Sequence, residues 1–390
     1  MRERWEMKKL GEVVEILDNL RKPITKRDRV DGQYPYYGAT GILSYVHNYI
    51  FSEKLVLVGE DGAKWLSGDH TSFIAEGKFW VNNHAHVIRP IRKVILDEWI
   101  VYFLNFSDLT PFITGMTVPK LNQEKLRSIP IPLPPLPEQH HIVAILDEAF
   151  AAITKAKANA EQNLKNAKEL FESYLQGVFV DKIHGSEFET LDSLCELIVD
   201  CEHKTAPTQE TGYPSIRTPN IGKGVLILDG VNRVSEETYR EWTRRAIPQE
   251  DDLILAREAP AGNIAVIPKN IKVCLGQRTV LIRPKKDRLV SKFLAYLILS
   301  KDVQNQLLSH STGATVEHIN MKDIRAFKIF NLSTLTEQQS IVQKLDALSA
   351  QTKKLEAIYQ QKINDLEELK KSILQKAFSG ELKTAEMLAV

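Results

Sequence analysis

One hydrophobic pattern occurs twice in the chain. Pro137-Glu138-Gln139-His140-His141-Ile142-Val143-Ala144-Ile145-Leu146-Asp147 returns as Thr336-Glu337-Gln338-Gln339-Ser340-Ile341-Val342-Gln343-Lys344-Leu345-Asp346, an offset of 199 residues. The offset still holds between Tyr174-Leu175-Gln176 and Ile373-Leu374-Gln375, so helix length is the same in both copies. The first copy predicts a seam of Ile142, Leu146, Ala149, Ile153, Ala156, Ala160, Asn163, Ala167, Leu170 and Tyr174. The second predicts Ile341, Leu345, Leu348, Thr352, Leu355, Tyr359, Lys362, Leu366, Leu369 and Ile373. A repeat of 3.5 residues sustained this long argues for coiled-coil pairing. The polar breaks Asn163 and Lys362 fall at equivalent positions, where a polar side chain can fix register. An Ala-rich seam facing a Leu-rich one suits pairing of the two runs with each other. About 40 residues at roughly 1.5 Å each predict a rod of about 60 Å.

The segments between these runs repeat as well. In residues 1–136 the strand patterns are Lys54-Leu55-Val56-Leu57-Val58-Gly59 and Asn82 to Pro90, with a helix around Trp99 to Leu104. The aromatic, glycine-rich turn Tyr34-Pro35-Tyr36-Tyr37-Gly38-Ala39-Thr40-Gly41 precedes them, and the proline bridge from Ile129 to Pro137 closes the block. In residues 183–335, Asp252-Leu253-Ile254-Leu255-Ala256-Arg257, Gly276 to Pro284 and Tyr296-Leu297-Ile298 come in the same order. Thr114-Gly115-Met116-Thr117-Val118 is echoed by Thr312-Gly313-Ala314-Thr315-Val316. The chain is therefore expected to divide into block 1–136, rod 137–182, block 183–335, and rod with tail 336–390. Neither block alternates strands and helices regularly, so the fold class is α+β with short strands: two similar mixed α/β domains separated by two long helices paired as an antiparallel coiled coil, an internal pseudo-twofold duplication.

At 390 residues, 43% hydrophobic and 26% charged, the composition is that of a water-soluble protein. No run of 18 apolar residues occurs, and the opening Met1-Arg2-Glu3-Arg4 is unlike a signal peptide. Cys195, Cys201 and Cys274 make an odd count without a disulfide framework, which points to a reducing cytoplasm. A net charge of +1 confines any phosphate contact to local patches.

Catalytic patterns are missing. Gly222-Lys223 lacks the upstream glycine of a phosphate-binding loop, and no glycine-rich cofactor loop or nucleophile elbow occurs. Cys195, Cys201 and His203 have the wrong spacing for zinc. His84 and His86 are expected on one strand face, as surface or DNA-facing histidines without a metal, and His140-His141 as a solvated helix start.

Val199-Asp200-Cys201-Glu202-His203-Lys204-Thr205-Ala206-Pro207, Arg217-Thr218-Pro219-Asn220-Ile221, Leu255 to Gly262, Asn320-Met321-Lys322-Asp323-Ile324, the two Glu-Gln helix starts and the ending Leu374 to Leu382 follow one another. In this order they resemble the specificity subunits of type I restriction–modification systems over nearly the whole chain. The first block departs from the pattern, carrying Asp18-Asn19 and a basic loop where the second has Asp-Cys-x-His. The resemblance implies two target-recognition domains, each reading half of a split site in double-stranded DNA. It also implies association with two modification (methyltransferase) subunits and with restriction (translocase/endonuclease) subunits. S-adenosylmethionine, ATP and Mg would be used by those partners, leaving this chain without catalysis, cofactor or membrane attachment. A rod of about 60 Å would cap half-site separation at about 18 base pairs. The competing class is a coiled-coil adaptor without sequence readout.

Side-chain chemistry selects the contact candidates. In the first block they are Tyr36, Tyr37, Thr40, Lys64, Asn83, His84, Thr114, Thr117, Lys120 and Asn122. In the second they are His203, Lys204, Arg217, Asn220, Lys223, Arg257, Gln277, Arg278, Thr312, Thr315 and His318. Arg can read guanine, Asn and Gln adenine, and glycine-flanked Thr lets backbone amides approach phosphate. Arg257 follows a buried strand, so an ion pair near Glu258 competes with base contact there. Arg89 and Arg283, each before proline at a strand end, are expected to be structural.

Overall fold

The computed structural model describes residues 5–115, 117–182, 184–258, 260–309 and 318–382. Two compact units result. One takes the chain up to Glu161 together with everything from Gln360 onward, and the other is Gln162–Tyr359.

In the first unit the elements are β1 (Glu6–Lys9), α1 (Leu10–Val13), β2 (Val14–Ile16), β3 (Asp31–Gly38), β4 (Gly41–Val46), β5 (Phe51–Ser52), β6 (Leu55–Gly59), β7 (Ser72–Ala75), β8 (Lys78–Val81), β9 (Ala85–Pro90), α2 (Asp97–Phe106), α3 (Gln123–Ser128), β10 (Pro130–Leu133) and the first part of α4 (Leu136–Phe179). The central sheet is antiparallel in the order β2-β9-β6-β7, the second sheet runs β4-β3-β8-β5 with β3 and β8 parallel, and β1 pairs with β10. Strand β6 shows why its sequence reads as one apolar run rather than an alternating one. Val56 and Val58 join the core formed with Trp99, Ile100, Ile142 and Leu146, while Leu55 and Leu57 enter a separate core with Phe51, Phe79 and Val81. Successive side chains point to opposite faces, and here both faces are covered.

The second unit repeats this plan. Its elements are β11 (Phe188–Thr190), α5 (Leu191–Leu194), β12 (Cys195–Asp200), β13 (Tyr213–Ile216), β14 (Arg233–Val234), α6 (Glu236–Trp242), β15 (Leu253–Ala256), β16 (Ile264–Val266), β17 (Cys274–Leu275), β18 (Thr279–Pro284), α7 (Ser291–Leu299), α8 (Lys301–Ser309), α9 (Met321–Ala326), β19 (Lys328–Phe330) and α10 (Leu335–Phe378), whose second part belongs to the first unit. The order β12-β18-β15-β16 matches β2-β9-β6-β7, the parallel pair β13-β17 matches β3-β8, and β11-β19 matches β1-β10. In β15, Leu253 and Leu255 face one core while Ile254 and Ala256 face the other.

Both long helices have 44 residues. Within the first unit, α4 and α10 run antiparallel: Lys157 pairs with Glu367, and the Lys370 ammonium lies over the Phe150 ring. Within the second unit, Leu175 and Phe179 of α4 share a core with Val342 and Leu345 of α10. The predicted seam holds at Ile142, Leu146, Ile153, Ala160 and Ala167, all buried. Past Ala160 it drifts, although Ala167 stays buried. Asn163, Leu170 and Tyr174 are exposed, and Leu164, Phe171 and Leu175 turn inward instead. On α10, Leu355, Lys362 and Leu369 are likewise exposed. An unsupercoiled helix drifts about 20° per heptad against a 3.5 repeat, which accounts for the shift. Asn163 and Lys362 therefore set no register from inside the seam.

Each block is fastened to its long helix in the same way. Gln139, fully buried, accepts from the Leu96 amide at 3.0 Å and donates to Val94 O at 2.9 Å and Pro134 O at 2.8 Å. Gln338, also fully buried, accepts from the Val290 amide at 2.8 Å and donates to Arg288 O at 3.0 Å and Ser333 O at 2.8 Å. The Tyr102 and Tyr296 hydroxyls donate to Asp147 and Asp346 of the helices. Burial, joined by the hydrogen bond to the aspartate, pushes both phenols well above the usual tyrosine value.

Candidate nucleic-acid interface

Polar side chains gather where the central strands end. In the first block, Glu60 directly follows β6. Its amide donates to His84 O at 2.9 Å, and its carbonyl accepts from Leu121 N at 2.8 Å. Arg21 Nη1 donates to the Glu60 carboxylate at 2.5 Å and to Ala85 O at 2.8 Å, and Lys120 Nζ pairs with the other Glu60 oxygen at 2.7 Å. Asp18, just past β2, accepts from Val87 N at 2.9 Å and meets His86 Nδ1 at 2.6 Å. His86 Nε2 faces Leu121 O at 2.6 Å, so both ring nitrogens lie against oxygens. Burial raises the Glu60 and Asp18 carboxyls, but it is outweighed: hydrogen bonds from Lys120 and Arg21 hold Glu60 below the usual carboxylate value. His86 and the Val87 amide do the same for Asp18.

The second block places Arg257 where the first has Glu60. The Arg257 amide donates to Arg278 O at 2.9 Å, and its carbonyl accepts from Ile319 N at 3.0 Å. Its side chain is buried and each guanidinium nitrogen has a partner: Nη1 donates to Asp200 at 2.5 Å, Nε to Ile319 O at 2.9 Å and Nη2 meets His318 Nε2 at 2.8 Å. Glu258 bridges His318 Nδ1 at 3.1 Å and Arg278 Nε at 2.8 Å. His203 Nε2 lies 3.2 Å from Asp200.

Several candidates hold structural posts. Tyr36 is buried; its hydroxyl accepts from Ile24 N at 3.0 Å, with the Arg29 guanidinium 4.4 Å from its ring centre, so it anchors the basic loop instead of facing solvent. Tyr37, half-buried, packs against Phe73 and Phe79. Asn122 caps α3 by accepting from the Lys125 amide, and Thr114 is paired with Lys120 through both backbone bonds. Asn220 folds onto its own turn, accepting from the Arg217 amide at 3.1 Å. Arg257 is an ion-pair partner and not a free reader of bases, though its partner is Asp200 more than the surroundings of Glu258. Arg89 and Arg283 are paired with Glu53 and Asp252.

Exposed positions remain Thr40, Lys64, Asn83, His84, Thr117, His203, Lys204, Arg217, Lys223 and Arg278, with Gln277 half-buried. Lys223 lies 3.6 Å from Glu172, an exposed pair. Thr312 and Thr315 lie outside the described residues. His84 precedes β9 instead of sitting in it, so its ring is exposed while that of His86 is buried; the two do not share a strand face. Asp18, Glu60 and His86 come close enough to suggest a cation site, yet Arg21, Lys120 and Leu121 O already hold them. All three cysteines are buried, which raises their thiols, Cys195 to about 12 and Cys274 to about 11. The contact candidates do not include Arg21, Glu60, Asp61, Asp200 and Glu258; a charged residue directly after an apolar strand run is the signal that marks Glu60 and Arg257 alike.

The family model described as "Type I restriction modification DNA specificity domain" matches residues 2–163 and 184–368. The chain belongs to this family. Among specificity-domain relatives, a putative type I restriction enzyme specificity subunit of Haemophilus influenzae is 28% identical over 359 residues, covering 89% of this chain and 88% of its own. The MjaVIII specificity subunit of Methanocaldococcus jannaschii is 24% identical, over 99% of this chain and 94% of its own. The fold is shared with the HsdS subunit from Thermoanaerobacter tengcongensis, with a TM-score of 0.60, 20% identity and 98% of each chain covered. A chain from a structure on assembly and conformational transition of the type I R-M system gives a TM-score of 0.70 at 20% identity, covering 98% of this chain and 99% of its own. Among the described residues no helix is long and apolar enough to cross a membrane.

Proposed function

We propose that this specificity-domain chain recognises a bipartite site in double-stranded DNA, one half per block, and directs adenine-methyltransferase and restriction subunits to it from within the cytoplasm. The observation that carries the reading is the repetition of the specificity domain over both blocks, each ending its central sheet in a polar cluster with exposed donors, His84 in one and Arg278 in the other. Arg, Asn and Lys groups at such an edge suit base and phosphate contact. Exposed apolar side chains on the long helices, Leu170, Tyr174, Leu355 and Ile358, are suited to association with modification subunits. In this reading S-adenosylmethionine, ATP and Mg are bound by the partners, and this chain works without a cofactor of its own. Two connecting helices of equal length also make spacing between half-sites a property of the helices.

Sequencing of modified adenines in cells with and without the chain tests the proposal. A split motif should appear and vanish with it. Unaltered methylation, with the chain still bound to partner proteins, would favour an adaptor instead.

A further inference from the structure

Charge pairing alone does not account for one detail of the strand-end clusters. Arg278 stands in the turn before β18 with φ of 65°, a left-handed conformation uncommon for residues with a side chain. The turn is held on both sides: the Arg278 amide donates to Cys201 Sγ at 3.2 Å, and its carbonyl accepts from Arg257 N. The side chain is 63% exposed, yet the Glu258 carboxylate lies 2.8 Å from its Nε as an ion pair. Glu258 is itself held by His318 Nδ1. With the carboxylate of Glu258 beside Nε, the two terminal nitrogens make no hydrogen bond to a described residue and form a fork on a side chain tethered by that ion pair. Such a fork matches the O6 and N7 acceptors of guanine, and prior restriction of the side chain lowers the entropy lost on binding. The first block repeats the arrangement: His84, whose carbonyl accepts from Glu60 N as that of Arg278 accepts from Arg257 N, is held at Nδ1 by Asp61, the counterpart of Glu258.

We infer that Glu258 is a positioning residue for base readout: it clamps Arg278 so that the fork addresses a guanine in the second half-site. The inference rests on the DNA-specificity reading above. Its test uses the intact chain expressed with its modification subunits, scored by sequencing of modified adenines. Arg278→Ala should relax preference at one guanine-containing base pair by about 5- to 150-fold and leave the other half-site unchanged. Glu258→Ala should relax the same base pair by a smaller factor, and adding it to Arg278→Ala should change nothing further there. Glu258→Gln, which keeps shape and loses charge, should give an intermediate relaxation with an unaltered thermal midpoint, which a merely structural role would not produce. Preference retained in both Glu258 variants would overturn the inference while leaving the DNA reading intact. Loss in Arg278→Ala spread evenly over all sequences would overturn it in favour of a phosphate contact. A wild-type chain that yields no split motif would remove the DNA reading itself, and this inference with it.

Discussion

At one backbone position the two blocks carry opposite charges. Glu60 and Arg257 each follow the central strand and make the same pair of backbone hydrogen bonds, but one is a carboxylate surrounded by Arg21 and Lys120 and the other a guanidinium surrounded by Asp200 and His318. The duplication has kept the frame and let side-chain polarity invert, provided that partners arrive from the same flanking segments. A buried charge is tolerated only when it is paired and hydrogen-bonded, so charge at this point changes together with its neighbours. The exposed positions beyond the pair, such as His84 and Arg278, are free of that constraint.

The largest way to break this comparison is to orphan one partner. Arg257→Ala should cost about 3–5 kcal/mol in chemical unfolding because Asp200 is left with little solvent and one fewer cation; a loss under about 1 kcal/mol would show that the pair is not buried in solution. Next come the glutamine anchors. Gln139→Leu and Gln338→Leu should each cost about 2–4 kcal/mol through unsatisfied backbone groups, and similar losses in the two would confirm that the fastening is equivalent. Acidity should separate the blocks. The Glu60 and Asp18 carboxyls are held low, so their contribution is present in full above the ordinary values of 4.5 and 3.8 and is lost as pH falls below them. Protection factors of first-block amides, corrected for the slower intrinsic exchange in acid, should therefore fall as pH drops below those values, and Glu60→Gln should blunt the change. Smallest are Lys64→Ala and Lys204→Ala, which should stay within about 0.5 kcal/mol of the parent in the same unfolding assay.

Much of this frame was legible beforehand. The strands at Leu55 and Leu253 and the twin helices stood out because burial on two faces leaves an unbroken apolar run and burial on one face leaves a period. The drift of the helix seam at Leu164 was not legible, because a 3.5 and a 3.6 repeat diverge only after several turns and alanines mark neither sharply. In the clusters, His84 and Arg278 stand out by their side-chain chemistry, and both are exposed. Tyr36 misled, since an aromatic in a glycine-rich turn can equally bury its ring and use its hydroxyl locally. Asp18, Glu60 and Asp200 were hidden because their partners come from distant segments: Arg21 and Lys120 reach Glu60 from opposite sides in sequence, and nothing local announces the pairing.

The division of the long helices has a consequence for synthesis. The core around Trp99 includes Ile373, Leu374, Ala377 and Leu382, which leave the ribosome 220 to 229 residues after Ile153. At about 5–20 residues per second, the first block waits tens of seconds with an apolar face uncovered, and a chain interrupted before its last turns would leave that face open to whatever the cell provides.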